Sequence, residues 1–138
     1  MKFSYKKPQI SEIEAPFIPI KISDMTKITY YPKDGTIDAL IDTGYDGFLI
    51  VPFKIFKDLK LISSEFPEDQ VPRVETITGE NIELRTAIGN VEIPKLNIQF
   101  FIEIDTIPEC SEILIGRQFL EKFIITLNGL DQELEIQS

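Results

Sequence analysis

The stretch ALIDTGYDGFLIVP, residues 39–52, decides the fold of this chain. An alternating apolar run that ends at Ile41 leads into Asp42, and Thr43 and Gly44 follow at once. Asp and Gly are both favoured in turns, so a strand that simply stops here would explain the motif without any chemistry. The other interpretation is that Asp42 is one half of a catalytic pair of carboxylates. The rest of the chain decides between the two.

Charge and hydropathy exclude several kinds of partner. The chain carries 14 basic and 23 acidic side chains, a net charge of −9 that repels nucleic acid phosphates, and it has no basic stripe. No apolar run approaches the roughly 20 residues of a membrane helix. The first residues lack the apolar region of a signal peptide, so no membrane partner and a cytoplasmic location are predicted. The isoleucine-rich composition, with few thermolabile residue types, is typical of a thermophilic source.

Missing residue types limit the chemistry further. Cys110 is the single cysteine, which excludes an internal disulfide and fits a reducing compartment. With no histidine, His–Cys zinc sites and mechanisms that use Ser-His-Asp or Cys-His are excluded. The aspartates that recur every four residues from Asp34 to Asp46 lack the calcium-loop pattern. No metal and no cofactor are therefore predicted, and only carboxylates, Lys, Tyr, Ser and Thr remain for acid–base or nucleophilic work.

Apolar periodicity predicts strands along most of the chain. Segments 18–23, 36–42, 81–88 and 96–104 alternate apolar and polar residues, as half-buried strands do. Helical spacing is limited to a segment that begins at Pro52 and a segment of about two turns that follows Gly116. Residues 63–73 have no period and are predicted to be a loop. The prediction is a mostly β single domain over residues 1–138, with one or two short helices.

Two motifs together resemble a known family. The first, ALIDTGYDGFLIVP, is similar to the active-site segment of retropepsin-type (retroviral-like) aspartic proteases. The second, ILIGRQFLEKF at 113–123, resembles the apolar triplet, glycine and short helix of that family, and a closing strand pair follows at 124–136. The aromatic Tyr45 and the proline and helix after GFL look closer to the prokaryotic single-domain branch. The resemblance covers roughly residues 15–136 and implies a closed or partly orthogonal β-barrel that is homodimeric.

Peptide hydrolysis by this family requires a water held between two carboxylates that share one proton. The chain has one Asp-Thr-Gly, so a second copy of the chain must supply the second carboxylate across a twofold axis. The prediction is an aspartic endopeptidase, active as a homodimer on a peptide or protein substrate. Two alternatives stay open. One is a catalytically inactive retropepsin-like dimer that binds peptides or acts as a scaffold, and the other is an unrelated small β-barrel in which the motif is a turn.

The resemblance also implies roles for residues around Asp42. The hydroxyl of Thr43 would reach the opposite loop across the dimer axis, and Gly44 would let its N–H approach the carboxylate. Asp46 would bind the substrate backbone. Gly116 and Arg117 would support the site, and Arg117 would do so by pairing with Asp46. The alternative for this last pair is two separate surface charges.

Three further predictions concern the rim of the site. Tyr45 replaces the small residue of retroviral enzymes and is predicted to contact substrate, without retroviral subsite preferences. Residues 74–84 are predicted to form a flap hairpin with Gly79 at its tip, although an ordinary surface hairpin would have the same local sequence. Residues 1–14 are predicted as an N-terminal segment that contributes to the dimer interface.

Overall fold

Strands form most of the structure. The computed structural model describes residues 1–70, 73–75, 79 and 81–138, and for residues 68, 73–75 and 81–83 it describes the backbone alone. The strands in this part of the chain are β1 (Lys2–Ser4), β2 (Phe17–Asp24), β3 (Tyr30–Tyr31), β4 (Ile37–Ile41), β5 (Leu49–Ile50), β6 (Arg73–Glu75), β7 (Asn81–Glu83), β8 (Arg85–Ile93), β9 (Ile98–Thr106), β10 (Leu114–Ile115), β11 (Ile124–Asn128) and β12 (Glu133–Gln137). The helices described are α1 (Phe53–Asp58) and α2 (Arg117–Leu120), and short 3₁₀ turns cover Leu61–Ser64, Glu68–Gln70 and Pro94–Leu96.

Six strands close into a barrel. They follow the order β2, β4, β10, β5, β9, β8, and β8 pairs back onto β2, while β3 extends the sheet beyond β2. The β4–β10 and β5–β9 pairs are parallel, and the other pairs around the barrel are antiparallel. Closure leaves fewer free strand edges. The predicted mostly β barrel with two short helices is confirmed for the described residues.

The barrel interior is filled by the predicted apolar faces. Ile18, Ile20 and Ile22 of β2 are fully buried, as alternation along a strand requires. Helix α1 adds Phe56 to the same core. Phe119 of α2 is also fully buried, and its ring packs 5.2 Å from Phe100 and 5.9 Å from Phe123, measured between centroids. The short helices therefore fold because each buries a large apolar side chain, since one or two turns would not be stable alone.

The chain termini meet in a separate three-stranded sheet. Strand β12 lies in the centre, with β1 and β11 antiparallel on its two sides. Phe3 and Leu134 face each other across β1 and β12 and are both buried. The first strand of segment 1–14 thus pairs within its own chain, and the predicted role of that segment in a dimer interface stays a prediction.

Two segments differ from the sequence-based predictions. The run 81–88, predicted as one strand, divides at Leu84: β7 pairs with β6 in a hairpin, whereas β8 enters the barrel. The segment 63–73, predicted as a loop, begins inside one 3₁₀ turn and contains a second. It also carries Glu65, which accepts two hydrogen bonds from the Arg85 guanidinium at 2.7 and 2.8 Å. This contact lowers the pKa of Glu65, and it ties the start of β8 to the turn before the hairpin. The division at Leu84 and the Glu65–Arg85 contact arise from pairing between distant residues, which local periodicity does not contain.

Among the described residues, no helix combines the length and the apolar character needed to cross a membrane.

Candidate active site

The two sequence motifs meet at the end of β4. Strand β10 of the second motif lies between β4 and β5, the strands that enter and leave the loop of the first motif. The Leu40 N–H donates to the Ile113 carbonyl at 2.8 Å, and the Asp42 N–H donates to the Ile115 carbonyl at 2.9 Å. Asp42 is therefore positioned by the buried centre of the barrel, although it lies where the strand ends.

Local hydrogen bonds orient the Asp42 side chain. The Gly44 N–H donates to Oδ1 of Asp42 at 3.0 Å, and the Tyr45 N–H donates to the Asp42 carbonyl at 3.2 Å. Asp42 is half-buried, whereas Thr43 and Gly44 are exposed. One oxygen of the carboxylate is thus held in place while the tip of the loop stays open to solvent. The predicted contact of Thr43 with an opposite loop requires this exposure, and it stays a prediction.

Helix α2 holds the other side of the loop. The Arg117 N–H donates to the Tyr45 carbonyl at 2.8 Å, and the Gln118 N–H donates to the Gly47 carbonyl at 3.2 Å. The first N–H groups of a helix have no partner within the helix, so loop carbonyls satisfy them here. The Gly116 N–H adds a bond to the Phe48 carbonyl at 3.0 Å. The loop and the start of α2 are therefore fixed to each other along their backbones.

Asp46 and Arg117 form an ion pair. The Arg117 Nη2 group donates to Oδ1 of Asp46, and the Gln118 side-chain amide donates to the Asp46 carbonyl at 3.0 Å. The two charges are therefore joined rather than separate on the surface. The side chains are 57% and 78% exposed for Arg117 and Asp46, so the pair is open to water in one chain, and binding of substrate backbone by Asp46 stays a prediction.

Replacing Arg117 with alanine is expected to lower the free energy of unfolding of the single chain by no more than about 1 kcal/mol, because exposed ion pairs contribute little. The bonds from its backbone to the loop do not depend on the side chain. Urea unfolding at low protein concentration measures the change. The matched variant Arg117→Lys keeps the charge and should lose less of the free energy of unfolding. The difference in this free energy between the alanine and lysine variants should become smaller in about 1 M salt. A loss of several kcal/mol would contradict an exposed pair.

The side chain of Tyr45 is turned toward the barrel. Its hydroxyl donates to Oδ2 of Asp105 on β9, and the Thr86 hydroxyl on β8 donates to the other oxygen, Oδ1, at 2.6 Å. Sequence reasoning did not find Asp105 or Thr86. Asp105 is 60 positions away from Tyr45, and no local pattern marks a strand carboxylate that becomes buried beneath a loop. The predicted contact of Tyr45 with substrate stays a prediction.

The arms of the predicted flap are paired. Strands β6 and β7 form an antiparallel hairpin in which Val74 lies opposite Ile82. Gly79 has φ +85°, a left-handed conformation that glycine adopts without steric cost. Residues 76–78 and 80 of the predicted flap lie outside the described residues. Closure of a flap over substrate, and contact of Gly79 with it, stay predictions.

Acidic side chains near the loop are already engaged. Asp46 is bound by Arg117, and Asp105 by two hydroxyl groups. Within the part of the chain that the structure describes, no group of three or more Cys, Asp or Glu side chains is arranged to hold a metal ion.

A cavity of about 430 Å³ lies at the other end of β4, around Ile37 and Asp38. Asp42 does not line it, so this cavity is not part of the candidate active site.

Solved structures share this architecture. The EIAV protease in complex with an inhibitor matches 85% of this chain and 93% of its own chain, with a TM-score of 0.53 and 15% identity. A retropepsin-like aspartic protease from Rickettsia conorii matches 94% of this chain and 100% of its own, at 14% identity and a TM-score of 0.46, so the assignment of the fold rests on the first. The barrel of this chain has the retropepsin fold, as the two motifs predict.

Sequence comparison identifies a relative of nearly the same length. An uncharacterized protein of Archaeoglobus fulgidus is 34% identical over 124 residues, which cover 89% of this chain and 94% of that protein. The chain belongs to the family of this Archaeoglobus protein. No protein-family model matches the chain. A prokaryotic relative is consistent with the predicted prokaryotic branch.

Proposed function

We propose that this chain is an aspartic endopeptidase that acts as a homodimer, with Asp42 of each chain forming the catalytic pair. The observation that carries the proposal is the geometry of the Asp42 loop. On a retropepsin fold, a half-buried carboxylate has one oxygen fixed by the Gly44 N–H at 3.0 Å, and it sits beside an exposed Thr43–Gly44 tip. Preorganised groups of this kind lower the cost of reaching the transition state.

The chemistry needs only a water and the two carboxylates. One carboxylate, ionised, takes a proton from the water as the water oxygen bonds to the peptide carbonyl carbon. The other, protonated, gives its proton to the carbonyl oxygen. The tetrahedral intermediate then collapses: the carboxyl group that took the proton from water gives it to the nitrogen, and the carbon–nitrogen bond breaks to release the amine. The other carboxylate takes a proton from a hydroxyl of the intermediate, which leaves the carboxylic acid product and restores the pair. Two carboxylates side by side share one proton because like charges a few ångströms apart disfavour double ionisation.

A homodimer follows from the count of motifs and from the open loop. The chain has one Asp-Thr-Gly, and that motif lies at the surface of a single chain. A twofold axis beside the loop would bring the second Asp42 into place. The terminal sheet adds support, because the outer strand β11 exposes Ile124 and Leu127. Such exposed apolar side chains on a sheet edge suit contact with a second chain.

An extended peptide is the expected substrate. It would lie between the Asp42 loops and the β6–β7 hairpins, held by backbone hydrogen bonds as an added strand. Backbone contacts give affinity without strict sequence preference, so the side chains that line the cleft would select the residues next to the cleaved bond.

The proposal predicts that peptide cleavage depends on dimerisation. An unbiased peptide mixture is incubated with the protein over a range of protein concentrations, and cleavage is followed by mass spectrometry. Sedimentation equilibrium on the same samples gives the dimer fraction. Because a monomer holds half of the catalytic pair, the rate per chain is expected to rise in parallel with that fraction.

Two outcomes would contradict the proposal. The first is a dimer that cleaves no peptide between about pH 4 and pH 7, a range that includes the working range of carboxylate acid–base pairs. This result would support an inactive binding or scaffold protein instead. A protein that stays monomeric at high concentration, or whose rate per chain is independent of concentration, excludes a catalytic pair built across two chains.

A further inference from the structure

A buried polar network lies beneath the candidate active-site loop. Asp105 and Thr86 face each other across β9 and β8, and they are 5% and 1% exposed. The Asp105 carboxylate accepts one hydroxyl on each oxygen, from Thr86 at 2.6 Å and from Tyr45. A buried carboxylate is costly unless its oxygens are hydrogen-bonded, and both are bonded here.

Tyr45 connects this network to Asp42. Its N–H donates to the Asp42 carbonyl, and its own carbonyl accepts the Arg117 N–H. The ring fills the space over Gly47 and Gly116: a Cβ built on Gly116 would lie 2.6 Å from a ring carbon, and a Cβ on Gly47 would lie 2.3 Å from the phenol oxygen. The side chain thus runs from the turn that carries the carboxylate to the wall of the barrel.

We infer that Tyr45 and Asp105 are positioning residues: the Asp105 carboxylate holds the Tyr45 phenol, and the phenol fixes the turn that aims Asp42. This inference rests on the proposed function and assigns Tyr45 a task different from contact with substrate. A loop that required only packing could carry Phe at 45 above an apolar residue at 105, since apolar replacements of buried polar groups are often neutral for stability. The hydrogen bond from Tyr45 to Asp105 therefore serves to fix the position of the loop and not to increase the stability of the fold.

Electrostatics keeps the phenol as the donor. Burial and the negative charge of Asp105 raise the pKa of Tyr45 far above its ordinary value, with smaller effects from Glu103 and Cys110, so the hydroxyl keeps its proton. Burial also raises the pKa of the Asp105 carboxyl, while the hydrogen bonds from Thr86 and Tyr45 act to lower it. Because this folded-state pKa is raised, the carboxyl stabilises the fold most below its ordinary value of 3.8, and that contribution is lost as pH rises. Relative to wild type, Asp105→Asn should therefore gain stability as pH rises.

The decisive variant is Tyr45→Phe, which keeps the ring and removes the hydroxyl. Tyr31→Phe is the matched control, because Tyr31 on β3 is a half-buried tyrosine packed on the same core and lies outside both the loop and segment 1–14. In the peptidase assay, Tyr45→Phe is expected to lower kcat by about 10- to 100-fold with KM changed less than about twofold, because a misplaced catalytic group slows the chemical step. Tyr31→Phe should leave both constants unchanged.

Hydrogen exchange tests the positioning without any activity. In Tyr45→Phe the amides of Gly44 and Tyr45, both bonded to Asp42, are expected to exchange at least about tenfold faster, whereas amides of the β11–β12 pair keep their rates. An equal rise at all amides with unchanged kcat would show a purely structural role and overturn the inference. Unchanged kcat and unchanged exchange at Gly44 would overturn it too.

These readouts separate the inference from the proposed function. If wild type cleaves peptides and Tyr45→Phe cleaves them equally fast, the inference fails and the proposed function stands. If wild type and Asp42→Asn are equally inactive, the proposed function fails and the catalytic part of the inference fails with it. Exchange at Gly44 and Tyr45 then still decides whether the phenol holds the Asp42 turn.

Discussion

Asp42→Asn is expected to reduce peptide cleavage at least about a thousandfold, since it removes both the base and the acid of the pair. The asparagine Oδ1 can still accept the Gly44 N–H, the bond that measures 3.0 Å to the aspartate, so the loop should keep its shape. The loss would then be chemical and not structural. Initial rates at a protein concentration where wild type is dimeric give the measurement.

Asp34→Asn is the matched control, because Asp34 is an exposed aspartate that precedes the same strand, β4, at its opposite end from Asp42. It should cleave at the wild-type rate. Mixing adds a sharper test of the shared site: after subunit exchange in an equal mixture of wild type and Asp42→Asn, only about one quarter of the dimers hold two aspartates. Activity should fall to that fraction of an all-wild-type sample of the same total concentration. An Asp42→Asn protein as fast as wild type would end the assignment of Asp42 as catalytic.

The parts of the fold that sequence predicted are those set by local pattern. Alternation gave β2 and β4 close to their observed bounds, and the apolar spacing after Pro52 and Gly116 marked both helices. These signals work because side chains on one face recur every two residues in a half-buried strand and about every 3.6 residues in a helix. The turn at Asp42 was recognisable because its residues and those at 113–123 form a spaced pair of motifs.

The parts that sequence missed depend on contacts between distant residues. The division of the predicted strand at Leu84 follows from where β7 finds a partner, and nothing in NIELRTAI marks that change. The bond from Tyr45 to Asp105 is similar, because a tyrosine after a glycine turn and an aspartate near a strand end carry no mark of each other. The identity of the two strands that close the barrel, β2 and β8, is a third case, because the predicted closed barrel named no strand pairs. Pairing across the barrel is decided by the whole fold and not by any segment.

Among glycine-to-alanine substitutions around the Asp42 loop, Gly116→Ala is expected to lower the free energy of unfolding the most. Gly116 has φ −93° and ψ 177°, a conformation open to any residue, so the requirement for glycine here is space. A Cβ at this position would lie 2.2 Å from the Gly47 carbonyl oxygen and 2.8 Å from that of Tyr45. Both carbonyls accept N–H groups from the start of α2, so neither can move without breaking a bond.

The expected loss for Gly116→Ala is at least about 3 kcal/mol of unfolding free energy, the upper part of the usual range for overpacking, because the obstacle is backbone. Gly129→Ala is the matched control. Its Cβ would have no atom within 4 Å, so a change within about 0.5 kcal/mol is expected. Urea unfolding of the three proteins at one concentration gives both values. If Gly116→Ala were as stable as Gly129→Ala, the Asp42 loop and α2 could not be in the contact that holds the carboxylate, and the basis for the active site would be lost.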